Sequence, residues 1–235
     1  MFHVTAGRSP AIVFESGGGD DSSVWRSVAP AVGVATGATV VTYDRAGFGE
    51  SDPDPQPYSI DRETDDLGHA LHRLGVKPPF VLVAHSYGGF LAALFASRHP
   101  YEVSGIVLLD ANLVGFFTDA EVARLTGSID RETLRKRNPA LLRVLEAFPA
   151  TVRRMRTAAV PESIPLLDVR AEQPPVESPE EAASWARTHE AFDAASSHRR
   201  GMLMRGTGHF MMRDRPAAIA RTIADFYRSL SAPGR

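Results

Sequence analysis

Residues 81–91 read Val-Leu-Val-Ala-His-Ser-Tyr-Gly-Gly-Phe-Leu, and no other stretch restricts the fold as severely. The apolar run Val81–Ala84 predicts a strand buried on both faces, whereas Gly88-Gly89-Phe90-Leu91 opens a helical pattern that runs to His99. Strand must become helix within one tight bend at Ser86. A strand feeding straight into a helix is half of a strand–helix–strand crossover, so the chain is expected to be α/β, with a mostly parallel central sheet and helices on both faces.

The surrounding alternation agrees. Short apolar runs at Ala11–Glu15, Thr39–Tyr43, Phe80–Ala84 and Gly105–Leu109 read as strands, each ending in a polar or glycine-rich turn where such sheets place their ligands. Helices are predicted over Val24–Val34, Ile60–Leu74 and Gly88–His99, the middle one N-capped by Ser59 and stopped at Gly75. From Ala111 to Val160 the pattern turns wholly helical, with Asp119–Leu125, Arg131–Arg137 and Pro139–Phe148 and no comparable strand. This predicts a small helical lid, residues 111–160, set into a core of residues 1–110 and 161–235. Sheet alternation resumes at Ile164–Val169 and is followed by a Pro/Glu-rich connection (Gln173–Glu181), a helix near Ala182–Ala195 and a strand near Gly201–Met204. A last helix, Arg215 to Leu230, is expected to start at an Asp214 N-cap and bury Ile219, Ile223 and Phe226.

Composition narrows the function classes. With 26 Lys+Arg against 28 Asp+Glu, the net charge of −2 supplies no drive toward phosphate backbones or anionic lipid, so neither nucleic acid nor membrane is an expected partner. The absence of cysteine excludes disulfides, thiolate-bound metal and a thiol nucleophile. No His-Glu-x-x-His spacing occurs, and neither metal nor cofactor is expected. Met1-Phe2-His3-Val4-Thr5 shows no basic and apolar leader, and no apolar run nears the roughly 18 residues of a membrane helix, so a cytoplasmic protein is the expectation.

The serine at the bend is the strongest chemical signal. A hydroxyl on a strained strand-to-helix turn projects above the sheet as a nucleophile elbow, provided the residues two before and two after are small. Here they are Ala84 and Gly88, giving A-x-S-x-G where G-x-S-x-G is usual. Its base is expected to be His209 in Arg205-Gly206-Thr207-Gly208-His209-Phe210, a loop after the last strand and at the same sheet edge. His69, His72, His99, His189 and His198 read as solvated or packing residues, His3 is terminal, and His85 reads as packing or pocket-lining. For an oxyanion, one N–H donor comes from Tyr87, directly after the serine. The other is assigned to Gly18 in Glu15-Ser16-Gly17-Gly18-Gly19-Asp20, with Gly17 and Gly19 as alternatives. That glycine run matches neither phosphate-binding spacing, G-x-x-x-x-G-K-[ST] or G-x-G-x-x-G.

With these motifs the chain resembles the α/β-hydrolase fold superfamily over nearly its whole length. Tyr43-Asp44-Arg45-Ala46-Gly47-Phe48-Gly49-Glu50-Ser51 is similar to the D-R-x-G-x-G-x-S stretch after the second core strand of that family, mainly a structural turn, so Asp44 and Arg45 are not assigned as catalysts. Only ten residues precede Ala11, which implies a shortened N-terminal sheet edge. The family commonly takes its triad acid after the strand that follows the lid, where Asp168 and Glu172 stand; a second group takes it from the strand after the nucleophile helix, where Asp110 stands. Asp110 is preferred, because Asp168 falls inside its predicted strand and the usual G-x-x-D turn is missing. The resemblance implies a serine esterase or lactonase acting on a hydrophobic small molecule without cofactor, with Phe116, Phe117 and Phe148 as pocket walls and Leu125, Leu141 and Leu142 beside them. Cofactor-free lyase or C–C hydrolase chemistry and a non-catalytic small-ligand receptor are the alternatives. The oligomeric state is not legible.

Overall fold

In the computed structural model, which describes residues 1–230, the apolar runs pair into one seven-stranded sheet. Its strands are β1 (Phe2–Thr5), β2 (Arg8–Glu15), β3 (Ala38–Tyr43), β4 (Phe80–His85), β5 (Val103–Leu109), β6 (Leu166–Gln173) and β7 (Arg199–Gly208), in the order β1-β3-β2-β4-β5-β6-β7. β1 runs antiparallel to β3 and closes the N-terminal edge as a single strand; all other pairings are parallel. Glu15 on β2 lies beside Ala84 on β4, and His85 beside Leu109 on β5. The segments that leave these three central strands therefore emerge side by side at one edge of the sheet.

Both faces of the sheet are buried, which is why the strands read as apolar runs rather than as alternating ones. Ile12 and Phe14 belong to one face and Ala11 and Val13 to the other. The first face is covered by α1 (Ala29–Thr36) and by α10 (Pro216–Leu230), the latter through Ile219, Ile223 and Phe226. The second is covered by α2 (Ile60–Arg73) and α3 (Gly88–Arg98) through Leu67, Leu71 and Phe95, while α8 (Pro179–Ala194) lies along β6 and β7. Ser59 caps α2 by accepting from Arg62 N–H at 3.4 Å, a contact type contributing about 1 kcal/mol. The left-handed Gly75 follows its end. No helix among the described residues is long and apolar enough to cross a membrane.

Four helices, α4 (Asp119–Gly127), α5 (Arg131–Arg137), α6 (Pro139–Glu146) and α7 (Phe148–Met155), stand between β5 and β6. α6 and α7 share a third apolar cluster with the start of α3, built from Phe90, Phe117, Val144, Phe148, Val152 and Met155, and Val122 and Leu125 of α4 pack against it.

Proline and side-chain hydrogen bonds account for the main departures from expectation. The helix predicted over Val24–Val34 is a 3-10 turn, Ser22–Trp25, followed by α1, because Pro30 fits the first turn of a new helix and not the interior of an old one. The predicted Pro139–Phe148 segment is present as α6, which stops at Glu146, and Phe148 instead opens α7 with Pro149 in its first turn. Asp214 does not cap the last helix: it ends a short α9 (Met211–Asp214) that buries Met211 and Met212, and its carboxylate accepts from Gly208 N–H at 2.8 Å. β6 extends to Gln173, so Glu172 sits within a strand rather than in a loop. α8 starts inside the expected connection, at Pro179, with Ser178 as its cap.

Candidate active site

The bend at Ser86 is as tight as its sequence demands. Ser86 has φ +53, and a Cβ on Gly88 would stand 2.8 Å from the Glu15 carbonyl oxygen and 2.9 Å from that of Ser16. No side chain fits there, so the close approach of α3 to the end of β2 requires glycine at 88. Ala84, at the matching position before the serine, is completely buried. Apart from Ser86, the only described non-glycine residue with positive φ is Asp110, at +43. Backbone of this kind costs of the order of 1–3 kcal/mol and persists where surrounding contacts fix it. Asn112 N–H donates to the Ser86 carbonyl at 2.8 Å and Asp110 N–H to that of Val169 at 2.8 Å, tying the two turns into the sheet edge.

His209 brings Nδ1 to within 2.7 Å of Asp110 Oδ2. The Asp110 carboxylate is fully buried and accepts twice more on Oδ1, from Ala171 N–H and from Trp185 Nε1–H, each at 3.2 Å. The other carboxylates considered are engaged elsewhere. Asp168 pairs with His189, Nδ1 to Oδ2 at 2.5 Å, both side chains fully buried, and Glu172 accepts from Gly206 N–H at 2.9 Å. Of the two readings of His189, solvated or packing, the structure has the second: it is buried, with its ring 5.0 Å from that of Trp185 and its Nδ1 on Asp168. His85 donates Nε2–H to the His209 carbonyl at 2.9 Å, its ring 4.5 Å from that of His209. Burial, then the positive character of His209, pushes its pKa down to about 3, so His85 stays neutral and holds the loop.

A cavity of about 430 Å³ contains Ser86 and His209 in its wall, together with Gly18, Tyr87, Phe116, Phe117 and Phe148. Leu125 and Leu141 also line it, but Leu142 is buried away from it. Trp185 and Asn112 are wall residues that sequence reasoning missed. The only available signal for Trp185 is its i,i+4 spacing from His189, which turns two ring N–H donors toward buried aspartates from one face of α8. Among the described residues, neither Gly18 N–H nor Tyr87 N–H has a hydrogen-bond acceptor. Uncommitted backbone donors beside a buried site are rare in folded proteins. At the rim, Arg124 is held by Glu121, Glu177 and Glu181 at 3.1–3.3 Å. Asp20 also faces the cavity, its pKa raised by burial.

Comparison with known proteins gives a consistent assignment. The family model described as alpha/beta hydrolase fold matches residues 10–192. The uncharacterized protein YqjL of Bacillus subtilis is 36% identical over 102 residues, 43% of this chain and 40% of that protein. The mouse sn-1-specific diacylglycerol lipase ABHD11 is 38% identical over 106 residues, 45% of this chain and 34% of that protein. The match thus spans less than half the length of either curated relative. Among solved structures, a thermophilic esterase from Thermogutta terrifontis superposes with a TM-score of 0.70 at 20% identity, covering 99% of this chain and 94% of that one. The enol-lactonase from Burkholderia xenovorans does so with 0.68 at 17% identity, covering 97% and 96%. At such identities these structures speak for the fold.

Proposed function

The chain belongs to the alpha/beta hydrolase fold family, and we propose that it is a serine hydrolase that cleaves a carboxylic ester or lactone of a hydrophobic small molecule. One observation carries this reading: Ser86, His209, Gly18 and Tyr87, the last two with N–H groups that have no acceptor among the described residues, line a single aromatic-walled cavity, while a buried carboxylate holds Nδ1 of the imidazole.

Ser86 Oγ attacks the substrate carbonyl carbon as His209 Nε2 takes its proton. Asp110 accepts from Nδ1–H, fixing the tautomer that leaves Nε2 free, and its charge stabilises the imidazolium formed during attack. The carbonyl oxygen becomes an oxyanion facing Gly18 N–H and Tyr87 N–H, donors that need no reorganisation at the moment of reaction. Collapse expels the alcohol, protonated by His209, and leaves an acyl-Ser86; in a lactone the alcohol stays attached. Water activated by His209 then releases the acid. The four-helix segment acts as the lid, and Phe116, Phe117 and Phe148 receive the acyl or ring portion. Arg124 is already engaged by three carboxylates and Asp20 adds a further acidic group, which favours uncharged substrates over anionic ones.

A fluorophosphonate probe tests the reading. Wild type should gain one stoichiometric adduct by intact mass, Ser86→Ala none, and His209→Ala far less per unit time. A folded, monodisperse wild type that stays unlabelled by both this and a smaller probe would refute it. Trapping an acyl-enzyme with a slow ester separates acyl transfer from chemistry that only moves a proton.

A further inference from the structure

Arg45 lies outside the Ser–His–Asp set, yet its side chain is buried against the loop that follows β2. Nη1 donates to the Ser16 carbonyl at 2.6 Å and Nη2 to the Gly17 carbonyl at 2.5 Å. From the other side, the Glu15 carboxylate stands 3.1 Å from Nη1 and the Glu63 carboxylate 3.4 Å from Nε. The guanidinium carbon also lies 5.1 Å from the centre of the Phe48 ring and 6.0 Å from that of Tyr87. A planar cation held on so many sides has one orientation.

That orientation reaches the cavity through a single peptide group. The Gly17 carbonyl and the Gly18 N–H belong to the same trans peptide, and in a trans peptide the two point to opposite sides of one rigid plane. Drawing the Gly17 oxygen toward buried Arg45 turns the Gly18 N–H away from it, and Gly18 lines the cavity that holds Ser86. The loop cannot fix this plane by itself. Three consecutive glycines have no side chains to pack, and the one backbone contact to the Gly17 oxygen, from Asp20 N–H, is longer at 3.2 Å. A cationic donor on the carbonyl also polarises the peptide and strengthens its N–H as a donor.

We propose that Arg45 is a positioning residue for the oxyanion hole, its guanidinium fixing the Gly17–Gly18 peptide plane so that Gly18 N–H meets the oxygen of the tetrahedral adduct on Ser86. This rests on the serine hydrolase reading and adds the group that pre-orients one of its two donors. Lysine is no substitute, because a point-charge ammonium cannot hold two carbonyls as a planar fork does.

The test compares two inhibitors of the same chain length on wild type and Arg45→Lys. A trifluoromethyl ketone forms a tetrahedral adduct with Ser86 and uses the hole; the matching secondary alcohol fills the pocket without forming an oxyanion. Arg45→Lys should weaken ketone inhibition and lower kcat by about 30-fold, somewhat less than the usual cost of deleting a donor outright, while alcohol inhibition and KM stay within about twofold. A merely structural arginine would move both inhibitors in parallel, or shift Tm and neither inhibitor, and either result overturns the proposal. If Arg45→Lys does not fold, Glu15→Gln carries the test: it neutralises one anchor of the guanidinium and should give the same split at about threefold. Wild type that fluorophosphonate fails to label overturns both readings, whereas labelled wild type with parallel losses overturns Arg45 alone.

Discussion

Two histidine–aspartate pairs lie on neighbouring strands of this protein, with the same Nδ1-to-Oδ2 geometry and opposite surroundings. His209–Asp110 spans 2.7 Å at the end of β5, and its imidazole, 17% exposed, faces a cavity that also holds Ser86. His189–Asp168 spans 2.5 Å between α8 and β6 with both side chains fully buried, and neither His189 Nε2 nor Asp168 Oδ1 has a partner among the described residues. A carboxylate that orients an imidazole is therefore not by itself the mark of the proposed active site. What separates the pairs is the cavity, where His209 shares a wall with Ser86, Gly18 and Tyr87 and His189 has no counterpart to them among the described residues. α8 serves both, since Trp185 donates to Asp110 one helical turn before His189 engages Asp168.

Removing one partner from each pair should separate the two most strongly. Asp110→Asn should lower kcat by about 10³–10⁴-fold with only a small change in Tm, measured on one preparation by ester turnover and thermal unfolding. If Glu172→Gln proves the more damaging substitution, the acid lies after the lid and the contrast collapses. At the second pair the expected loss is of stability. His189→Leu leaves a buried carboxylate unpaired and should cost about 3 kcal/mol by urea denaturation, with kcat of the folded fraction within about twofold. The double variant His189→Leu/Asp168→Leu should recover much of that loss.

Smaller effects refine the same picture. Trp185→Phe keeps the ring in the cavity wall but removes one donor to Asp110, so kcat should fall by about tenfold while KM is held. A pH test follows from Asp193, whose pKa is raised to about 6 by burial and then by the charge of Asp168. A carboxyl with a raised folded-state pKa is held back from ionising, so the fold loses stability as pH rises from about 4 to about 6 and stays penalised above that. Asp193→Asn should consequently raise Tm by roughly 2 °C at pH 8 and leave it unchanged at pH 4. The smallest expected effect is none: incubation with a chelator should leave ester turnover where it was, and activity lost to it and restored by zinc or manganese would contradict the mechanism.

Legibility in the sequence followed the range of the interaction. Residues 81–91 declare strand, bend and helix because backbone sterics at Ser86 and Gly88 act within a few residues, whereas β7 runs on to Gly208, so the glycine-rich stretch read as a loop is the end of a strand and His209 directly follows it. Apolar periodicity over Val24–Val34 masks the break before α1, although Pro30 marks the start of a new helix. Asp168 and His189 carried no local sign of each other across 21 residues of chain. Arg45 was visible within its D-R-x-G stretch, but not that its guanidinium closes on carbonyls 28 and 29 residues upstream.

By itself, then, the sequence determined the parallel sheet, the bend at Ser86 and the glycine loop after β2, because hydrophobic periodicity and the steric limits of small residues are written in neighbouring positions. Which carboxylate meets which imidazole, and which cation grips the glycine loop, depends on how the strands are ordered in space. A buried charge must find a partner in space, and strand order, here β1-β3-β2-β4-β5-β6-β7, brings Asp110 to His209 across 99 residues and leaves Asp168 to His189.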